Sequence, residues 1–160
     1  MAEVATQAVV YRARAGRGAG NSDALVLLCS DGDFQAAFQE FLSLHLKLEQ
    51  WDAITVPGGA YMLSFADVLP KQLKVGMRML KAVMKDRGPS RIVLIGHDGC
   101  SRYLEAFATH LTRFGFSLAD KQRRDLRSVC EDLQQTFRQA RVEAYFASSG
   151  TDGAVEFERL

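Results

Sequence analysis

Apolar residues fall along this chain in two rhythms, and the switches between them mark out its elements. Leu25-Val26-Leu27-Leu28 and Ile92-Val93-Leu94-Ile95 are unbroken aliphatic runs, too short for buried helices, and they predict strands covered on both faces. Asp52-Ala53-Ile54-Thr55-Val56 predicts a third, shorter strand, ending in the tight loop Pro57-Gly58-Gly59-Ala60, where backbone must approach something closely. After the first strand, Phe34, Ala37, Phe38, Phe41, Leu42 and Leu44 recur at helical spacing, with Asp33 placed to cap that helix. Residues 67–86 read as a helix capped by Asp67 and closed by Arg87-Gly88-Pro89-Ser90. Helices follow over about 101–114 and 119–140, separated by Gly115. Arg141–Ala147 alternates, with Val142, Ala144 and Phe146 on one face. The turn Gly150-Thr151-Asp152-Gly153 leads to Val155, Phe157 and Leu160, so the chain closes on an antiparallel hairpin.

Strands alternating with helices predict an α/β fold with a central, mostly parallel sheet and right-handed crossovers. Residues 24–160 read as one domain. Residues 1–23 read as an N-terminal arm or tail, with a weak alternation of Val9, Tyr11 and Ala13 before the connector Arg14–Asn21. With the first strand central and the second and third on its two sides, a switch point opens between strands one and three. Ligands bind at the carboxyl ends of strands at such a point.

Two residues stand at that place. His97 and Cys100 are three apart where the third strand hands over to a helix, a spacing at which imidazole and thiol can hold one metal ion. Two ligands do not hold zinc, and Cys29, at the end of the first strand, is the candidate third. Neighbouring strands are ~4.8 Å apart, a gap that zinc bonds of ~2.3 Å to sulfur and ~2.0 Å to nitrogen span. Taken singly, Cys29 and Cys100 would read as buried thiols; with His97 they read as a zinc site.

Composition narrows the function classes. The 160 residues are 48% hydrophobic and 24% charged with a formal net charge of +1, so neither nucleic acid nor an anionic membrane is an expected partner. Lys121, Arg123, Arg124 and Arg127 read as the wet face of a helix. No signal peptide or membrane span is evident. Three cysteines argue against a disulfide framework and for a reducing, cytoplasmic setting. Cys130 falls at apolar spacing and reads as core. His45 and His110 have no ligand pattern around them. Trp51, Tyr61 and Phe65 read as core, or as an apolar wall beside the zinc.

Cys29-Ser30-Asp31 after the first strand, a Gly/Ala loop after the second, and Gly96-His97-Asp98-Gly99-Cys100 after the third resemble the β-class carbonic anhydrases, which carry Cys-x-Asp-x-Arg and His-x-x-Cys at these places. The resemblance covers residues 24–160 in element order. It implies a sheet in order 2-1-3-4-5 with the last strand antiparallel, and a homodimer. It implies zinc held by Cys29, His97 and Cys100, and reversible hydration of carbon dioxide to bicarbonate, a lyase reaction. Asp31 would be the catalytic residue, orienting the metal-bound hydroxide or displacing it as fourth ligand. Gly58, Gly59 and Ala60 would line the substrate pocket.

The pattern breaks at one charge. Asp33 stands where the family has the arginine that pairs with the aspartate and draws it off the metal. Two thiolates and a neutral imidazole already cancel a divalent zinc, and like charges disfavour each other. Asp31 is therefore expected to close a Cys₂-His-Asp tetrahedron, leaving hydratase activity weak or lost. Arg102, one turn into the next helix, is a candidate substitute partner for Asp31. Pro57-Gly58-Gly59-Ala60 replaces the family's Arg-Asn-Ala-Gly, and Ser101 replaces a glycine. The alternatives are a zinc hydrolase of a small linear substrate, carbonyl sulfide or carbon disulfide, and a non-catalytic binding or regulatory domain stabilised by zinc.

Overall fold

The computed structural model describes residues 11, 18, 20–64, 70–114 and 117–160. Most of the expected arm, together with Phe65, Asp67 and Gly115, lies outside them. Five strands form one sheet: β1 (Ala24–Cys29), β2 (Trp51–Val56), β3 (Arg91–His97), β4 (Arg141–Ser149) and β5 (Val155–Arg159), in the order β2-β1-β3-β4-β5. The first four are parallel and β5 runs antiparallel to β4, as expected. The aliphatic runs form the two innermost strands, and every residue from Ala24 to Leu28 and from Ile92 to Ile95 is at most 1% exposed.

One face of the sheet is covered by α1 (Gln35–Glu40) and the π-helical turn Phe41–His45 that continues it, with Phe34, Phe38, Phe41 and Leu42 packed on Val26, Val93 and Ile95. The other face carries α2 (Pro70–Arg87), the 3-10 turn Gly59–Leu63 and α4 (Leu118–Thr136), packed on Leu25, Leu27, Leu94 and Phe146. Between them in sequence, α3 (Ser101–Phe114) starts immediately after Cys100. None of the described helices is long and apolar enough to cross a membrane.

Several elements differ from expectation for local reasons. The helix after β1 changes pitch twice. Asp31, not Asp33, caps its 3-10 start, its side chain accepting from the Asp33 N–H. The π turn adds a residue per turn and shifts the apolar phase, leaving Leu44 70% exposed. Helix α4 stops at Thr136 rather than 140, where the Gln134 amide bridges the Ala140 carbonyl and the Val142 N–H and ties the chain into β4. Leu160 packs on the opposite face from Val155 and Phe157. The basic stretch of α4 is only partly wet: Lys121 pairs with Asp125 and Arg123 with Glu158, over the rings of Phe107 and Phe146 respectively, while Arg124 and Arg127 are exposed.

At the amino end of the sheet, buried Glu143 of β4 accepts from Arg91 Nε at 2.9 Å and pairs with its Nη2 at 2.8 Å, with Arg141 at 3.1 Å and Arg159 at 3.5 Å. Removing a buried carboxylate strands the guanidinium that neutralised it. Glu143→Ala is therefore expected to cost about 3 kcal/mol in urea denaturation, the lower end for a broken buried pair because Arg91 keeps some contact with water. Arg141→Ala should cost under about 1 kcal/mol, as an exposed partner does.

Candidate metal centre

The parallel register sets β1 and β3 side by side, with Leu28 opposite Ile95, so both strands deliver their last residues to one edge of the sheet. Cys29 ends β1, His97 ends β3, and Cys100 closes the turn before α3. Their ligand atoms all lie within 4.8 Å of one another, and each residue is at most 5% exposed. The strand alternation aims them from different sides. Cys29 and Cys100 pack with Tyr61 and Tyr103 on the α3 side, whereas the His97 ring lies tilted against Phe34 on the α1 side, centroids 4.4 Å apart.

Backbone groups hold each ligand. Gly59 has φ +53°, and a Cβ there would meet the Cys29 nitrogen at 2.9 Å, so only glycine lets this turn lie against the end of β1. That approach brings the Gly58 N–H to the Cys29 sulfur, which accepts it at 3.3 Å. His97 Nδ1 lies 2.7 Å from the Asp98 carbonyl, which can only accept, so Nδ1 carries the proton and donates. Nε2 is then a bare lone pair facing the sulfurs, buried and without a hydrogen-bond partner. The Cys29 and Cys100 sulfurs are 3.9 Å apart. Two sulfurs on one tetrahedral zinc at ~2.3 Å each would stand about 3.8 Å apart. An orphaned imidazole nitrogen beside two thiols at this spacing fits a zinc ion.

Without a metal, the electrostatics favour a single thiolate, on Cys29. The Cys100 hydrogen bond lowers the Cys29 pKa, with help from His97 and the Gly58 N–H, against burial, which raises it. Cys100, as the donor of that bond and buried, is pushed up. Burial pulls the His97 pKa down, but the approach and charge of the Cys29 sulfur, the Asp98 carbonyl and the Asp31 carboxylate outweigh it, and the net direction is up.

A family model described as "Putative carbonic anhydrase" matches residues 19–157. The chain belongs to that carbonic anhydrase family. Solved structures agree on the fold. A β-carbonic anhydrase from Sordaria macrospora, one of two described as tetrameric, superposes with a TM-score of 0.54 at 12% identity, covering 87% of this chain and 81% of that one. Isoform I from Trichomonas vaginalis gives 0.54 at 9% identity over 91% and 87%. The Aspergillus fumigatus β-carbonic anhydrase gives 0.51 at 13% over 88% and 76%. No curated protein sequence matches the chain.

Asp31 flanks the ligand cluster. Its Oδ2 lies 4.0 Å from His97 Nε2, next to the three-ligand set but not within it. Its other oxygen accepts the Asp33 N–H at 3.0 Å, while the Asp33 side chain is exposed. Arg102 does not supply the missing guanidinium; it pairs with Glu105 at 3.3 Å and lies over the Tyr61 ring. Gly58 and Ala60 line a cavity of about 10 Å³ beside the ligands, but Gly59 instead backs onto Leu28 and Cys29. Tyr61 also lines it, whereas Trp51 sits at the far end of β2, packed with the α1 layer. Cys130 is half-buried against the core, and His45 is exposed and stacked on Phe41.

Two glutamines escaped the sequence reading. Gln35 donates from one Nε2 to the carbonyls of both Cys29 and Asp31 at 2.8 Å, clasping the loop between them. Gln122 lines the cavity from α4. It falls in register with Leu126, Val129 and Leu133, so a polar residue on an apolar stripe was the available signal. Gln35→Ala should loosen the loop and weaken zinc or cobalt binding about 10-fold or more, as loss of an outer partner to a ligand does. Competition against a chromophoric chelator reads the change, and the metal-free melting temperature should move little.

Proposed function

We propose that the chain binds one zinc ion through Cys29, His97 and Cys100, and that Asp31 closes the site, so that hydration of carbon dioxide is weak or absent. The observation that carries this is the orphaned Nε2 of His97, turned toward two sulfurs 3.9 Å apart, with the Asp31 carboxylate as the next donor at 4.0 Å. Zinc would supply the Lewis acidity that makes water nucleophilic near neutral pH. The protein's own parts have distinct tasks. Cys29 and Cys100 supply two negative charges, and the Gly58 N–H supports the first of them. The Asp98 carbonyl keeps His97 in the ligating tautomer.

Asp31 decides the outcome. No arginine among the described residues pairs with it, and its capping bond to the Asp33 N–H leaves Oδ2 facing the site. Moving that oxygen inward makes a fourth donor and removes the open position that catalysis needs. A homo-oligomer belongs to the proposal, supported by the tetrameric Sordaria macrospora enzymes of the same fold; a homodimer is the smallest such assembly, and light scattering measures it.

Metal analysis should find one zinc per chain. EDTA should lower the melting temperature by about 5–10 °C, from the ~2.7 kcal/mol that a ligand at 100 times its Kd contributes and ~2–4 °C per kcal/mol at this size. Stopped-flow hydration at pH 8 should give little or no turnover with the zinc-loaded protein. Asp33→Arg, by restoring a guanidinium two residues from Asp31, should raise it. Robust turnover in the unmodified protein overturns the closed site while leaving zinc binding intact; a metal-free protein overturns both.

A further inference from the structure

We propose that Gln122 holds a single water against the two sulfur ligands and so tempers the charge they present to the metal. The proposal rests on zinc binding as argued above and adds a residue from the opposite side of the site to Asp31.

Gln122 is 2% exposed, and its Oε1 has no hydrogen-bond partner. An amide oxygen buried in that state costs about 1–3 kcal/mol, so native structures satisfy it with protein or ordered water. The cavity beside it is lined by Cys29, His97 and Cys100 together with Gly96, Tyr61 and Tyr103. Its volume of about 10 Å³ matches one water. Gly96 explains how α4 comes so near: a Cβ there would meet Leu126 Cδ1 at 2.6 Å, and Gln122 stands one turn before Leu126. The stripe that packs α4 onto the sheet thus carries a polar residue into the cavity that the ligands line.

A water in this place has two protons to donate. Oε1 accepts one, and the sulfurs of Cys29 and Cys100, which line the same cavity, are acceptors for the other. In the metal-free protein the sulfurs are 3.9 Å apart and share a proton between them. With zinc bound both are thiolates, each a better acceptor. A hydrogen bond to a metal thiolate draws charge off the sulfur and weakens its donation, which is how outer partners tune a metal site. Gln122 acts through the water, as a positioning residue. The effect opposes the surplus negative charge of Asp31 and Asp33.

The test replaces zinc by cobalt(II) in the full chain and reads the thiolate-to-cobalt charge-transfer band in the unmodified protein and in Gln122→Met, which keeps most of the side-chain volume and removes the acceptor. Loss of the hydrogen bond leaves the sulfurs more electron-rich, so the band should shift to longer wavelength. A purely structural glutamine would leave it in place, and an unchanged band overturns the proposal. A high-resolution crystal structure of the zinc-loaded unmodified protein gives an independent answer should the variant not fold. A water within hydrogen-bonding distance of Gln122 Oε1 and of a sulfur supports the proposal, and a dry cavity overturns it. Failure of the unmodified protein to take up cobalt or zinc overturns the metal reading and this inference with it, an outcome distinct from bound metal with an unshifted band.

Discussion

The pairing of β1 with β3 is the constraint on which the ligand cluster depends. Two parallel strands in register at the middle of a sheet end level with each other, and ~4.8 Å separates them. A cysteine at one end and a histidine at the other are therefore neighbours before any side chain is placed. The turn after β3 adds Cys100, and the glycine pair after β2 presses its backbone against the end of β1. Loop residues then refine a meeting that the sheet has already arranged. The same pairing explains why Cys29 and His97 are so buried: the runs Ala24–Leu28 and Ile92–Ile95 that lead toward them are core.

Much of this was legible from residue order alone. The aliphatic runs of β1 and β3 have one physical solution, a strand covered on both sides. Their ends follow from where the runs stop, so Cys29, His97 and Cys100 could be placed together without coordinates. The legible part ends where two local solutions compete. Asp31 and Asp33 can each cap a helix start, and only the turn geometry decides for Asp31. The π-helical turn rephases the stripe from Phe41 onward, which no periodicity with a fixed repeat foresees. Gln122 was hidden because it obeys the apolar period of α4 while breaking its chemistry. Leu160 was grouped with Val155 and Phe157, although alternation over five positions puts it on the opposite face, where it packs.

Charge placement, at Asp33, is the departure from the motif that bears most directly on the ligand cluster. Two thiolates satisfy a divalent ion, so every further carboxylate near it must find a cation or become a ligand. Arg102 is committed to Glu105 and to the face of Tyr61, and so offers nothing to Asp31. The backbone therefore does what a guanidinium does elsewhere: the Asp33 N–H holds one oxygen of Asp31. A neutral N–H restrains a carboxylate more weakly than a charged partner can, and on the proposed zinc reading that difference would set how readily Asp31 moves toward the metal.

The ligands reach the centre from both sides of the sheet. Cys29 and Cys100 belong to the layer built with α3 and the turn after β2, and His97 to the aromatic layer under α1. A chain with only one layer docked thus carries an incomplete donor set and has no means of gripping the ion firmly. On the proposed zinc reading, metal capture would be a late checkpoint in assembly, passed only when both layers have closed on the sheet. A seated ion would then rivet them together, and neither layer could peel away without surrendering it.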